Sequence, residues 1–347
     1  MGRTNRGVAM NRLTAGALLA VAAGSPAWRG ATEPAPRAAP ALRAVADIPL
    51  PGPAVRFGAL SIDFGAGRLF IAHTGAGALV VVDVRSRRVV GSVAELPGVT
   101  GVRAVPALGR VYASVVQLHH VAVVDAATLR VTDRIGTVAA PGTIAYAPDQ
   151  RKLYVSDESG GGELVIDAHT NRVMHTIPLD GEAGTTLFDP GSRSILVAVP
   201  TRNQVWVIDP LSDRVLGRFD LQGGARPRGM VIDAARRLAF VANEGDARVL
   251  IVDLRTMKVT GAVPVADGPD VLALDPGWGR LYVATESGTV SVFAEIGARL
   301  VHEGDVRMPY AHTLTVDPRT HLVYVPLQNI GGRPVLRVMA GDAPAGP

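Results

Sequence analysis

The sequence predicts an all-β protein, a seven-bladed β-propeller with four strands in each blade. The first observation is an internal repeat, in which a VVD or VID element recurs at intervals of 42 and finally 44 residues. Its aspartates are Asp83, Asp125, Asp167, Asp209 and Asp253. The second observation is that each period contains four short apolar runs, and the third is that the first of these runs occurs seven times. Units of this length with four strands are typical of propeller blades.

The strands of one blade are visible in residues 142–179. This unit contains the runs GTIAYAP, KLYVSD, ELVID and RVMHTIPL, which are rich in β-branched and aromatic residues and are separated by turn residues. Counting the first run of each unit predicts seven blades, with the sequences LSIDF, VRAVP, TIAYAP, TTLFDP, GMVIDA, VLALDP and TLTVDP.

The last blade lacks a fourth strand of its own. Strands are predicted there at about 312–317, 321–327 and 334–339, after which the chain ends in GDAPAGP. An unpaired strand edge is one that proteins avoid. The stretch RAVADIPL at residues 43–50 matches the fourth strand RVMHTIPL of the middle blade. We therefore predict that the N-terminal strand completes the last blade and closes the ring.

The N-terminal region predicts export. Arginines precede a short apolar run at residues 13–24, and SPA follows it, so residues 1–27 are interpreted as a signal peptide, with a disordered N terminus as the alternative. Residues 28–41 are interpreted as an Ala/Pro-rich linker, 42–342 as the propeller and 343–347 as a tail. The apolar run is too short for a membrane span, which needs roughly 20 residues. We expect a periplasmic or secreted monomer with no membrane span after cleavage of the signal.

Composition excludes several kinds of site. The chain has no cysteine, which rules out disulfides, thiol nucleophiles and thiolate metal sites. The net charge of +4 comes almost wholly from arginine. Aspartates alternate with the arginines of the predicted turns and weaken the field that phosphate binding requires, so nucleic-acid binding is the least favoured hypothesis.

Two repeats carry a resemblance to a known family. They read LYVSDESGGGELVIDAHTNRVMHTIPL (153–179) and LAFVANEGDARVLIVDLRTMKVTGAVPV (238–265). They resemble the YVTN-repeat (YncE-like) family of bacterial secreted propellers, and the resemblance extends over residues 43–340. It departs from the pattern at Phe293-Ala294 and Arg337-Val338. The resemblance implies a WD40-like propeller scaffold and secretion, and it implies little about activity, because the family is similar to lactonase-like, lyase-like and quinoprotein-subunit propellers.

The hairpin aspartates are interpreted as turn residues, so candidate functional residues are sought on the opposite, irregular loop face. His73 ends a strand of blade one and His312 begins blade seven, and these two blades are neighbours. We predict that His73, His312 and Tyr310 meet at the mouth of the central channel as a catalytic acid–base group or as metal ligands. Loop histidines without a role are the alternative.

Three glutamates follow the second strand of blades three, five and six, namely Glu158, Glu244 and Glu286. Carboxylates that converge on the axis suit a hard divalent cation such as calcium or magnesium, and solvated hairpin tips are the alternative. The predicted ligand-binding residues are Phe57, Arg226, Arg228 and Asn243. The two arginines have the donor geometry to clamp a carboxylate or phosphate.

The sequence therefore favours an exported binding or scaffold protein. It would present its loop face at the channel mouth to a small molecule, a glycan or a protein. The alternative is a periplasmic lactonase-like hydrolase or lyase with a metal or histidine site at the same mouth. The standard catalytic and nucleotide-binding motifs are absent from the sequence.

Overall fold

The computed structural model describes residues 41–136 and 138–343. In this part of the chain, 28 strands form seven four-stranded antiparallel sheets, which are the blades of a β-propeller and confirm the predicted fold class. The predicted signal peptide, most of the predicted linker and residues 344–347 of the tail lie outside the described residues. No helix among the described residues is long and apolar enough to cross a membrane.

The strands follow one another in repeating groups of four. The closing strand is β1 (Arg43–Pro49). Blades 1 and 2 consist of β2 (Leu60–Asp63), β3 (Arg68–His73), β4 (Ala78–Asp83), β5 (Arg88–Val93), β6 (Val99–Val105), β7 (Arg110–Val115), β8 (His120–Asp125) and β9 (Val131–Gly136). Blades 3 and 4 consist of β10 (Pro141–Ala147), β11 (Lys152–Asp157), β12 (Gly162–Asp167), β13 (Arg172–Pro178), β14 (Thr186–Asp189), β15 (Ser194–Val199), β16 (Gln204–Asp209) and β17 (Arg214–Asp220).

The remaining blades keep the same order. Blades 5 and 6 consist of β18 (Pro227–Asp233), β19 (Leu238–Asn243), β20 (Arg248–Asp253), β21 (Lys258–Pro264), β22 (Pro269–Asp275), β23 (Arg280–Thr285), β24 (Thr289–Ile296) and β25 (Arg299–Arg307). Blade 7 contains β26 (Thr315–Asp317), β27 (Leu322–Ile330) and β28 (Arg333–Ala340). Short 3-10 helices occur at Thr74–Ala76, Pro106–Leu108, Val116–Leu118 and Pro200–Arg202.

The ring closes as the sequence predicts. Strand β1 pairs antiparallel with β28, from Arg43 opposite Ala340 to Pro49 opposite Val335, and supplies the outermost strand of blade 7. Asp47 accepts two hydrogen bonds from the guanidinium of Arg337, at 2.8 and 2.7 Å. The N-terminal strand thus holds the last blade by both backbone pairing and an ion pair.

The core lies between the blades. Middle strands such as β15 are buried along their whole length, because each blade is covered on both faces by its neighbours. Outer strands such as β21 alternate between exposed and partly buried residues. One apolar cluster joins Phe70 and Val81 of blade 1 to Val102 and Val111 of blade 2, and similar clusters fill the other interfaces. Alternating exposure is therefore found in outer strands such as β21, whereas middle strands such as β15 are covered on both sides.

The hairpin aspartates and the basic residues beside them have structural partners. Asp167 Oδ1 accepts the backbone N–H groups of His169 and Thr170, both at 2.8 Å, which stabilises the turn. Basic residues that begin the second strands reach the hairpin carbonyls of the next blade. Arg110 donates to the carbonyl of Ala168 at 2.8 Å, and Lys152 and Arg68 make the same kind of contact. These cations are engaged in blade-to-blade contacts, which weighs against a nucleic-acid surface.

One buried acid breaks the apolar pattern of the third strands. Glu163 on β12 is fully buried, and Thr186 donates a 3.0 Å hydrogen bond to its Oε2. Burial raises the pKa of Glu163 well above its ordinary range. The equivalent residues of the other blades, by strand register, are Leu79, Val121, Val205, Val249, Val290 and Leu336.

Replacing Glu163 with valine, a residue found at the equivalent position of other blades, should stabilise the protein. Because the pKa of Glu163 is higher in the folded protein than in the unfolded chain, stability falls as pH rises above about 4.3, the ordinary value of a glutamate. We expect Glu163→Val to gain roughly 1–2 kcal/mol at pH 8 and less at pH 5, measured by urea unfolding. The shape-matched control Glu163→Gln should lose the same pH dependence. A gain that is equal at both pH values would contradict this account.

Candidate functional site

The candidate site is built by a bulge at the start of the first strands. In blade 1, the carbonyl of Ala72 accepts from the N–H of Gly58 while the N–H of Ala72 donates to the carbonyl of Ala59, at 2.7 and 3.0 Å. Two residues thus face one, and blades 2 to 6 show the same irregularity. Bulges redirect side chains and are frequent beside active sites. Here both bulge residues border the space at the centre of the ring.

The bulge residues line a central cavity of ≈ 360 Å³. Five residues before the end of the first strand, at the first bulge position of blades 1 to 6 and its counterpart in blade 7, the chain has Gly58, Thr100, Gly142, Gly184, Arg228, Asp270 and His312. Blades 1 to 4 therefore contribute small residues, and blades 5 to 7 contribute titratable ones. A functional site in a repeat protein is expected where the repeats differ from one another, and these positions differ in that way.

A second ring of residues follows the second strands. Glu158, Glu244 and Glu286 come directly after β11, β19 and β23 and all line the cavity. The structure therefore places the three predicted glutamates at equivalent positions of one mouth. They do not form one cluster, because each has different neighbours.

Glu286 belongs to a group on blades 1, 6 and 7. Arg56 donates to both of its carboxylate oxygens, from Nη1 to Oε2 at 3.1 Å and from Nη2 to Oε1 at 2.5 Å. His312, which is only 7% exposed, places Nδ1 3.3 Å from Arg56 Nη2 and 3.4 Å from Asp270 Oδ2. The hydrogen bond from Arg56 lowers the pKa of Glu286 against the opposing effect of partial burial. Glu286 is consequently an anion at neutral pH.

Glu244 belongs to a second group on blades 4 and 5. Arg228 Nη1 lies 3.2 Å from Glu182 Oε1, and its Nε lies 3.3 Å from Glu244 Oε2. Arg226 reaches the same Glu244 oxygen at 3.6 Å but does not line the cavity. The predicted arginine clamp is thus occupied by carboxylates of the chain itself.

Glu158 differs from the other two glutamates in having no partner. Its side chain makes no hydrogen bond or ion pair with any described residue, although it is accessible from the cavity. Partial burial raises the pKa of Glu158, and the positive charge of Arg228 lowers it by a smaller amount. Among the carboxylates that line the cavity, Glu158 is therefore the one that a bound cation would supply with a partner.

The two predicted histidines lie in different environments. His73 is fully buried and stacks on Phe57, with ring centroids 4.2 Å apart, whereas Phe57 itself lines the cavity. Burial lowers the pKa of His73, and nearby backbone carbonyls such as that of Pro53 oppose the shift. The structure does not bring His73 into the cavity with His312. His73 packs behind Phe57 and is not part of the cavity surface.

Two other predicted residues also lie away from the cavity lining. Tyr310 is 44% exposed, with a positive φ of 73° in its connection. Asn243 is fully buried, and its amide nitrogen donates to the carbonyl of Val241 at 2.8 Å. Arg56 and Asp270 also line the cavity; the sequence places Asp270 on the loop face without assigning it a role, and it does not point to Arg56. For Asp270 a signal exists, since it lies five residues before Asp275, as His312 does before Asp317.

Comparisons with known proteins establish the fold alone. No protein-family model matches the chain, and no curated protein matches it. Among solved structures, the chain is similar to the hydrazine synthase of Kuenenia stuttgartiensis, with a TM-score of 0.71 and 19% identity over 83% of this chain and 96% of that one. It is also similar to a chain in the mitotic checkpoint complex, with a TM-score of 0.74 and 13% identity over 96% of this chain and 99% of that one. Identities this low leave the YVTN-repeat family a prediction.

Proposed function

We propose that the chain is an exported binding propeller of the YVTN-repeat type whose channel mouth holds a small organic cation. One observation carries the proposal: four carboxylates but only two guanidinium groups line the cavity among the described residues. The acids are Glu158, Glu244, Asp270 and Glu286, and the bases are Arg56 and Arg228. A cleft with excess charge of one sign concentrates ligands of the opposite sign.

Glu158 is the proposed anchor for that cation. A methyl group on Gly142 would overlap Glu158 Oε1, so the glycine at this position leaves room for the carboxylate at the cavity. A ligand ammonium would supply the missing charge-assisted hydrogen bond and favour the ionised form. Glu244 and Glu286 pair with arginines and Asp270 contacts His312, which leaves Glu158 as the open position.

The cavity also restricts the size and shape of the ligand. Its volume is near the lower end of the range for small-molecule sites, which suits a small ligand. Phe57, Met230 and Leu272 add apolar surface to the lining. An amine or amidine on a short carbon chain matches both features. A glycan or a protein segment is the alternative occupant of the same face, and the charge of the mouth favours the small cation.

Export and a periplasmic or secreted location form part of the proposal. They are supported by the arginines, the apolar run and the small residues of the N-terminal sequence, and by the resemblance of the repeats to secreted propellers.

Binding of 1,4-diaminobutane tests the proposal by titration calorimetry. We expect the diamine to bind and the uncharged 1,4-butanediol not to bind. Glu158→Gln should weaken diamine binding at least tenfold, whereas the control Glu95→Gln, an exposed glutamate outside the cavity lining, should not change it. Because the pKa of Glu158 is raised, affinity should begin to fall on acidification at a higher pH than an ordinary glutamate near 4.3 would give.

Two outcomes would overturn the proposal. One is a diamine affinity that Glu158→Gln leaves unchanged. The other is binding of the dianion succinate in preference to the diamine.

A hydrolase or lyase is the second candidate, because one imidazole and two carboxylates meet in the same cavity. These are His312, Asp270 and Glu286. Turnover of γ-butyrolactone by the wild type, with loss in His312→Ala, would support it. Equal rates for the two proteins would exclude lactone hydrolysis by this group.

A further inference from the structure

The group on blades 6 and 7 has the spacing of a metal site. One donor atom from each of Asp270, Glu286 and His312 lies within 4.8 Å of the others. His312 Nδ1 is 3.4 Å from Asp270 Oδ2 and 3.7 Å from Glu286 Oε1. Ligands that share a cation at about 2.1 Å are separated by about 3.0 to 4.2 Å, so these distances already fit a shared ion.

Neighbouring strands and burial limit the movement of these ligands. Asp270 lies at the start of β22, Glu286 follows directly after β23, and His312 holds the repeat position of Asp270 in blade 7, three residues before β26. His312 is nearly fully buried, which limits the rotation of its ring. Ligands on rigid elements lose little conformational entropy when an ion binds.

A cation of the chain itself already sits among these donors. Arg56 Nη2 contacts both Glu286 Oε1, at 2.5 Å, and His312 Nδ1, at 3.3 Å. An arginine only donates hydrogen bonds, so its guanidinium marks a place where donor atoms of Glu286 and His312 converge on a positive charge. The position therefore already accommodates a positive charge.

The side chain of Arg56 is positioned so that it can move out of the metal site into solvent. It lies in the irregular connection between β1 and β2, and its side chain is 52% exposed. Exposed ion pairs contribute little to stability, so the guanidinium can move into water at small cost. A divalent ion would replace it with a larger charge at the same place.

We infer that Asp270, Glu286 and His312 bind a first-row divalent cation, and that Arg56 competes with this ion for the site. One imidazole and two carboxylates favour Zn²⁺ or Mn²⁺ over Ca²⁺ and Mg²⁺, which prefer ligand sets made of oxygen alone. The inference goes beyond the proposed ligand and does not depend on it, because Glu158 takes no part in the metal site.

Metal titration of untagged protein freed of metal by chelation tests the inference. Zn²⁺ affinity is measured against a chromogenic chelator, and Mn²⁺ affinity by the loss of the free-ion electron paramagnetic resonance signal. We expect Arg56→Ala to tighten Zn²⁺ and Mn²⁺ binding at least tenfold, because it removes the competing cation. His312→Ala should weaken both at least a hundredfold. The matched control is Arg226→Ala, since Arg226 holds the place of Arg56 in blade 5 but pairs with Glu244.

The shape-conserving variants Asp270→Asn and Glu286→Gln replace His312→Ala if that protein does not fold, and each should weaken binding in the same way. Unchanged Zn²⁺ affinity in the ligand variants, or tighter binding of Ca²⁺ than of Mn²⁺, would overturn the site. Unchanged affinity in Arg56→Ala would overturn the competition. Glu158→Gln should leave metal binding intact, which separates this result from that of the diamine experiment.

Discussion

Deletion of residues 43–50 is expected to prevent stable closure of the ring and to leave little folded protein at 37 °C. The deletion removes every pair between β1 and β28, together with the ion pair between Asp47 and Arg337. It also removes Ile48 and Leu50, which are buried in the cluster between blades 7 and 1. Their burial alone is worth roughly 3–6 kcal/mol, which is a large part of the 5–15 kcal/mol of a typical domain.

Circular dichroism melting and size-exclusion chromatography measure this effect. Deletion of residues 28–38, which precede the closing strand, is the control and should leave the melting temperature unchanged. A synthetic peptide of residues 41–52, added in trans, should restore part of the lost stability by occupying the free edge of β28. Similar melting of the two truncated proteins would mean that β1 does not close the ring.

Gly229→Ala is expected to destabilise the protein by roughly 1–3 kcal/mol or more and to distort the cavity. A methyl group at this bulge position would overlap the backbone carbonyl of Asp270 in the next blade. Because the obstacle is backbone, it cannot rotate away, and the inner strands of blades 5 and 6 must separate. Gly101→Ala should behave alike, since its methyl group would overlap the carbonyl of Gly142.

Urea unfolding midpoints measure this second effect, with Gly217→Ala as the control. A methyl group at Gly217 would meet nothing within 4 Å, so the control should change stability by no more than about 0.5 kcal/mol. Equal midpoints for Gly229→Ala and Gly217→Ala would show that the inner strands tolerate a wider ring.

Most of the fold was predictable because each blade repeats the same order of short strands and turns. The aspartates that begin the hairpins, such as Asp125 and Asp167, mark the third-to-fourth turns at a constant interval, and each turn depends only on residues within four positions. The missing fourth strand of blade 7 was predictable for the same reason, since the stretch ending at Leu50 copies the one ending at Leu179. Counting strands therefore needed no knowledge of long-range contacts.

The candidate site was predictable only in part. The equivalence of Glu158, Glu244 and Glu286 follows from the repeat, and their position beside the cavity follows from it as well. The direction of His73 does not, because a strand-end residue can face either the cavity or the space between blades. Packing against Phe57 decides that direction.

The sequence by itself determined the number of blades, the place of each turn and the identity of the closing strand, because these depend on local hydrogen bonds and on a period that the chain repeats. Only the tertiary structure decided which charged residues pair. Arg56 meets Glu286 and His312 across 230 and 256 residues of chain, and these contacts exist only once the ring is closed. The partners of a carboxylate in a ring are set by the neighbouring blades and by bulges that redirect side chains, and no local pattern of residues encodes either.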